Sequence, residues 1–292
     1  MKNYVKISNI IKKFNKVINV QGDKSISIRW ALMASQAVGK SRAKNLLKSE
    51  DVDSTLEALK KLGVKVLKNK EYCEIIGKGL NSYNLKNNTI IDAGNSGTLA
   101  RLILGLLSSI NKSIRIKGDK SLSKRDFSRI IKPLNIFGVR IKSKKNKLPI
   151  IIKGTKFLRP IYFEERKGSA QVKSCIMLAS LNTPGKTVIK CINSRDHTER
   201  LFQFLKIPLT VKKLSKTYQL ITMEGKKQYN AFNYNIPGDI SSAAFFIVLT
   251  ALAKSSKIII KNVNINESRT GIIDILKKMN VQIKIKNKKL IN

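Results

Sequence analysis

The chain has 292 residues, 42% of them hydrophobic, and its 58 Lys and Arg against 18 Asp and Glu give a formal charge of +40. Apolar runs recur from Val5 to Ile291 with no polar low-complexity tail, which excludes a disordered chain and allows two domains with cores of their own. The lysines are scattered rather than gathered on one element, so the charge reads as surface composition and not as a nucleic-acid footprint.

No apolar run is long enough to span a membrane, and the start lacks the pattern of a cleavable leader. Cys73, Cys175 and Cys191 form no CxxC pair and are odd in number, so neither a disulfide framework nor a zinc site is expected. These features together predict a soluble, cytoplasmic chain with reduced thiols.

In chain order, the turn Gly22-Asp23-Lys24-Ser25 opens an apolar helix over 26–38, and a polar start at Ser49 opens an amphipathic helix over 49–62. Ser49 offers a capping oxygen, while Glu50, Asp51 and Asp53 suit the positive end of a helix dipole. Gly63 suits a left-handed C-terminal position before a strand over 63–66. The pattern then repeats. Gly94-Asn95-Ser96-Gly97 precedes a helix over 98–107, followed by an amphipathic helix over 123–137 and a strand over 138–141. Gly168-Ser169-Ala170-Gln171 precedes a helix over 172–181, with a weaker amphipathic copy over 194–205. Gly238-Asp239-Ile240-Ser241 precedes a helix over 242–253, then an amphipathic helix over 268–279 and a strand over 280–283.

The period is about 70 residues, and each unit reads strand, apolar helix, strand, amphipathic helix, strand. The apolar helices have so little polar relief that most of each circumference should be buried. Such a chain has sheet outside and helices inside, with its Gly/Ser helix starts gathered toward one face. Backbone N–H groups at helix starts favour anions, so the residues alone predict an anion-binding α/β repeat protein, although each turn by itself is an ordinary cap.

Taken together the turns are more specific. Gly22-Asp23-Lys24-Ser25-Ile26-Ser27-Ile28-Arg29 resembles the first substrate-binding motif of the EPSP synthases, a branch of the enolpyruvyl transferases. Asp92-Ala93-Gly94-Asn95-Ser96-Gly97-Thr98-Leu99-Ala100-Arg101 resembles their second motif, and Gly118-Asp119-Lys120-Ser121-Leu122-Ser123-Lys124-Arg125 their third. Ser169-Ala170-Gln171-Val172-Lys173-Ser174, Ser194-Arg195-Asp196-His197-Thr198-Glu199-Arg200 and Pro237-Gly238-Asp239-Ile240-Ser241-Ser242-Ala243-Ala244 follow in the family's order. The resemblance implies an α/β (α+β) repeat fold, an inside-out barrel of βαβαββ units with buried helices. An upper domain of three repeats would span 22–235, and an incomplete lower domain 1–21 with 236–292.

The activity implied is transfer of the enolpyruvyl group of phosphoenolpyruvate to the 5-hydroxyl of shikimate 3-phosphate, in aromatic amino acid biosynthesis. It needs neither metal nor organic cofactor, and implies a monomer with no specific nucleic-acid or membrane partner. By the same resemblance Lys24 is the catalytic lysine and touches both substrates. Ser25, Arg29, Ser169, Gln171, Ser194 and Arg195 join it on shikimate 3-phosphate, while Gly97, Arg125 and Gln171 join it on phosphoenolpyruvate. The family usually has Pro after Arg125, and the carboxylate of Asp126 there would compete for the guanidinium. Gln21 and Ile28 are further departures, away from the expected contacts. His197, the single histidine, reads as a structural or supporting residue rather than a general base.

The family's catalytic Asp and its later Lys and Arg segments have no counterpart up to Asn292, so a chain that binds shikimate 3-phosphate without turnover is the main alternative. A UDP-N-acetylglucosamine enolpyruvyl transferase would have Asn in place of Ser25 and a mobile-loop Cys, absent from 111–125. An RNA 3′-phosphate cyclase is disfavoured by the Lys24-Ser25 motif.

Overall fold

The computed structural model describes residues 11–289. In chain order, β1 (Asn15–Asn19) is followed by α1 (Lys24–Ala34), β2 (Val38–Lys44), α2 (Glu50–Lys61), β3 (Lys65–Lys68) and β4 (Tyr72–Lys78). A second repeat comprises β5 (Thr89–Asp92), α3 (Gly97–Leu107), β6 (Ser113–Lys117), α4 (Lys120–Ser123), α5 (Ser128–Ile136), β7 (Arg140–Ser143) and β8 (Ile150–Lys153). The third comprises β9 (Tyr162–Glu165), α6 (Ala170–Ser180), β10 (Lys186–Ile192), α7 (His197–Phe204), β11 (Leu209–Lys213) and β12 (Tyr218–Glu224). Then come β13 (Asn233–Asn235), α8 (Ile240–Leu252), β14 (Lys257–Lys261) and α9 (Gly271–Lys278). The chain divides into two compact units, one running from Lys24 to Ile236, the other built from the residues up to Asp23 and from Pro237 to Lys288.

The larger unit is an α/β repeat in which three four-stranded sheets share one order. The second is β5-β6-β8-β7 and the third β9-β10-β12-β11, each with its first pair parallel and the rest antiparallel. In the first sheet β13 takes the leading place, parallel to β2, so the order is β13-β2-β4-β3. The strands show the half-buried alternation of a sheet covered on one face, as in β6, where Ile114 and Ile116 are buried between exposed neighbours.

What covers that face is α1, α3 and α6. Each is rich in apolar residues and largely enclosed, α1 being buried from Ser27 to Ala34 and α6 from Val172 to Ser180. α3 and α6 approach backbone to backbone at Gly105, where a Cβ would lie 2.3 Å from the Cys175 carbonyl oxygen. No side chain fits there. Gly63 and Gly138 adopt φ of +81° and +100° after α2 and α5, the left-handed turns expected of them.

Several expectations change. The helix predicted over 26–38 ends at Ala34, because Val38 pairs with Lys78 in the sheet and its N–H donates to the Tyr229 carbonyl. The helix predicted over 123–137 is two, separated at 124–127, where the Asp126 carboxylate accepts from the Ser128 N–H and hydroxyl and so starts α5 afresh. Ser49 precedes α2 but its side chain makes no cap; its carbonyl accepts from Val52 and Asp53 instead. No strand forms at 280–283: Asn280 turns with φ +65° and the Val281 N–H returns to the Leu276 carbonyl, closing α9.

The largest change is α8, predicted as a buried helix. Only Ile240 and Ala243 are buried, while Phe245 is 79% and Leu252 82% exposed. Among the described residues the smaller unit offers one parallel strand pair, β1 with β14, and one amphipathic helix, α9. Its core of Val20, Ile240, Ala243 and Ile273 therefore covers a single stripe of α8.

Candidate active site

The start of α3 is the most defined part. Ser96 caps it, its Oγ accepting from the Leu99 N–H at 3.2 Å, and Gly97 is the first helical residue. A Cβ on Gly97 would lie 2.8 Å from Arg101 Nη1 and 3.0 Å from Arg125 Nη1, so two guanidiniums converge over a bare helix start. Arg101 donates to the Gly97 and Asp126 carbonyls at 3.2 and 3.4 Å and lies over the Phe127 ring. Burial lowers its pKa, and repulsion from Arg125 and Arg129 lowers it further, which marks a local excess of positive charge. Helix dipole and guanidinium fork both favour an anion at this point.

Arg125 is exposed and donates to Asn95 Oδ1 at 3.3 Å, and Asn95 in turn donates to Asp119 at 2.6 Å. Asp119 also caps α4 by accepting from the Leu122 N–H, and that bond, with the one from Asn95, holds its pKa below the usual carboxylate range. The feared competition from Asp126 takes another form, since its carboxylate is engaged with Ser128.

Gln171 joins the second and third repeats. Its Nε2 donates to Thr98 Oγ1 at 3.1 Å, placing the α6 start beside that of α3. Ser169 caps α6, accepting from the Val172 N–H at 3.4 Å and donating its own N–H to the buried Glu165 at 3.0 Å. One turn further, Ser174 meets Arg29 of α1. The Arg29 guanidinium is buried and donates through Nη2 to Ser174 Oγ at 2.9 Å, through Nε to Thr198 Oγ1 at 2.8 Å and through Nη1 to the Ser25 carbonyl at 3.1 Å. Ser25 and Arg29, four residues apart on one face of α1, thus meet through the Ser25 backbone oxygen and not its hydroxyl.

Lys24 begins α1 with its side chain 49% exposed, 3.6 Å from the Asp51 carboxylate. Ser194 is half-buried and Arg195 exposed in the loop before α7; among the described residues no hydrogen bond joins them to the rest of the site. His197 is buried at the first position of α7. The structure thus gathers Gly97, Arg125 and Gln171 around one pair of helix starts and Ser25 with Arg29 one helix away. Sequence reading did not single out Arg101, Thr98, Ser174 or Thr198. The signal for Arg101 was present in its spacing, four residues after Gly97 on the same helical face.

A family model for EPSP synthase (3-phosphoshikimate 1-carboxyvinyltransferase) matches residues 8–292. The 3-phosphoshikimate 1-carboxyvinyltransferase of Vesicomyosocius okutanii is 43% identical over 92% of this chain and 61% of its own length. That of Petrotoga mobilis is 40% identical over 96% and 65%. A solved EPSP synthase from Acinetobacter baumannii superposes with a TM-score of 0.86 at 34% identity, covering 96% of this chain and 62% of that one. The chain therefore spans less than two thirds of the length of these relatives. A match along nearly all of its own length, in sequence and in backbone alike, places the chain in the EPSP synthase family.

Proposed function

We propose that this chain takes part in the transfer of the enolpyruvyl group from phosphoenolpyruvate to the 5-hydroxyl of shikimate 3-phosphate, releasing phosphate. The observation that supports it is the α3 start, where Arg101 and Arg125 converge over Gly97 and Gln171 ties in the start of α6. In this reading Gly97, Arg125 and Gln171 take phosphoenolpyruvate. Ser25, Arg29, Ser169, Gln171, Ser194 and Arg195 take the phosphate, carboxylate and hydroxyls of shikimate 3-phosphate. Lys24, half-exposed at the start of α1, reaches both. Protonation of the methylene carbon and attack by the hydroxyl on its neighbour give a tetrahedral intermediate that expels phosphate. Fixed cations stabilise this highly anionic pair, and alignment of the two substrates supplies much of the acceleration. Residues 22–235 form the upper domain of this scheme, with 1–21 and 236–292 in the lower.

Calorimetry with shikimate 3-phosphate tests the assignment. Lys24→Ala and Arg29→Ala should each weaken binding by about tenfold or more, the size of a charge-assisted hydrogen bond, while Lys68→Ala and Lys145→Ala change it little. Equal losses in all four would mean that the net field, and not the site, attracts the anion. Phosphate release by the chain alone, and by the chain mixed with the C-terminal third of a complete homologue, then measures turnover.

A further inference from the structure

The feature that this scheme leaves unused is a buried ion pair. Lys173 on α6 has no exposure, and its Nζ lies 2.5 Å from the carboxylate of Glu199 on α7, whose side chain is 5% exposed. Where the other described lysines crowd the surface, a wholly buried one is not a product of composition. Nor is it a cheap way to stabilise a fold: desolvating both ions costs several kcal/mol apiece, and apolar residues of the same volume often serve as well or better.

The neighbours in sequence indicate what the pair does. Ser174 follows Lys173 and Thr198 precedes Glu199, and these two hydroxyls are the acceptors of Arg29. Their oxygens are 2.7 Å apart, so α6 and α7 are joined twice, once by charge and once by hydroxyls. The hydroxyl protons have one consistent arrangement. Ser174 donates to the Ala170 carbonyl at 2.6 Å, which leaves its lone pairs for Thr198 and Arg29, and Thr198, having donated to Ser174, accepts from Arg29 Nε. These bonds tolerate well under about 1 Å of helix displacement before they are lost. Successive helical residues point about 100° apart, so a tie at Lys173 restrains the rotation of α6 that would turn Ser174 away.

We propose that Lys173 and Glu199 are positioning residues which, by clamping α6 to α7, hold Ser174 and Thr198 in place to orient the Arg29 guanidinium toward an anionic ligand. The ligand side of this inference rests on the proposed function; the clamp itself does not.

The test replaces both ions together, Lys173→Met with Glu199→Leu, so that no lone charge is left buried. Two quantities are read on the full chain: solvent exchange of the Arg29 Nε proton by NMR, and affinity for shikimate 3-phosphate by calorimetry. The expected result is Nε exchange faster by about tenfold or more and affinity weaker by a similar factor, as a lost charge-assisted bond implies. In the Arg29→Ala background the same double replacement should change affinity by less than about twofold, because the two act as one unit. Unchanged Nε exchange, or losses that simply add, would overturn the clamp. Should Arg29→Ala alone leave affinity untouched, the site assignment fails instead, and Nε exchange decides the clamp by itself. If the double variant does not fold, Lys173→Met with Glu199→Gln, closer in shape to the native pair, takes its place. Faster Nε exchange supports the proposal there, and unchanged exchange overturns it.

Discussion

Gly97 is where a single atom matters most. It is the first residue of α3, a position that alanine occupies without backbone strain, yet a methyl group there would push into the ends of Arg101 and Arg125. Those ends are flexible, so the fold should survive. Gly97→Ala should leave thermal unfolding within a few degrees of the parent, because any gain in helix propensity is at most about 1 kcal/mol. Its affinity for phosphoenolpyruvate should fall by about tenfold or more, since the displaced guanidiniums lose their bidentate approach. Calorimetry beside a melting curve checks both, and a normal affinity would remove Gly97 from the site. The spacing of Gly97 and Arg101 was legible in the sequence. The resemblance also grouped Arg125 with Gly97, but spacing alone could not, because that contact crosses from the α4 turn to the α3 start and depends on Asn95 and Asp119.

At the scale of elements, the repeat has a second glycine signature, which the turn motifs do not contain. Gly77 in β4, Gly154 just after β8 and Gly225 just after β12 each lie against the carbonyls that end α1, α3 and α6. A Cβ on Gly154 would be 2.4 Å from the Ser108 oxygen, 2.5 Å from that of Leu107 and 2.7 Å from that of Ile110, and one on Gly225 would be 2.0 Å from the Thr183 oxygen. Backbone cannot yield as a side-chain tip can. Gly154→Ala should therefore destabilise the larger unit by about 1–3 kcal/mol, the usual cost of overpacking, read as a lower denaturant midpoint with an unchanged slope. The three positions recur at the period of the turn motifs, but an isolated glycine in a strand pattern signals only a bulge or a close approach. Which backbone approaches is decided by the fold.

At the scale of the molecule, the two units should differ in how firmly they are held. The larger has a continuous core in which α1, α3 and α6 are enclosed, whereas the smaller has five buried apolar residues among those described and an α8 whose aromatic side chains are exposed. Local opening costs least where few apolar contacts are broken. Amide hydrogens in α8 and α9 should accordingly exchange at least about tenfold faster than those in α3 and α6, and equal protection would show that the smaller unit is as stable as the larger. Removing exposed apolar surface by Phe245→Ser should not slow or hasten exchange in α3.

The sequence by itself determined the repeat, the apolar character of its helices and the order of the Gly/Ser turns. These follow from local rules: the periodicity of apolar residues, the hydrogen-bonding of Ser, Asp and Gly at helix ends, and the spacing of residues on one helical face. Burial of α1, α3 and α6 but not of α8, though all four read alike, was settled only in three dimensions, because burial depends on what lies opposite a helix and not on the helix itself. The same holds for the break between α4 and α5, where Asp126 found Ser128, and for β13, which completes the first sheet from the far end of its unit. It holds above all for Arg29, whose three nitrogens meet partners 4, 145 and 169 residues away, a convergence that no local pattern encodes.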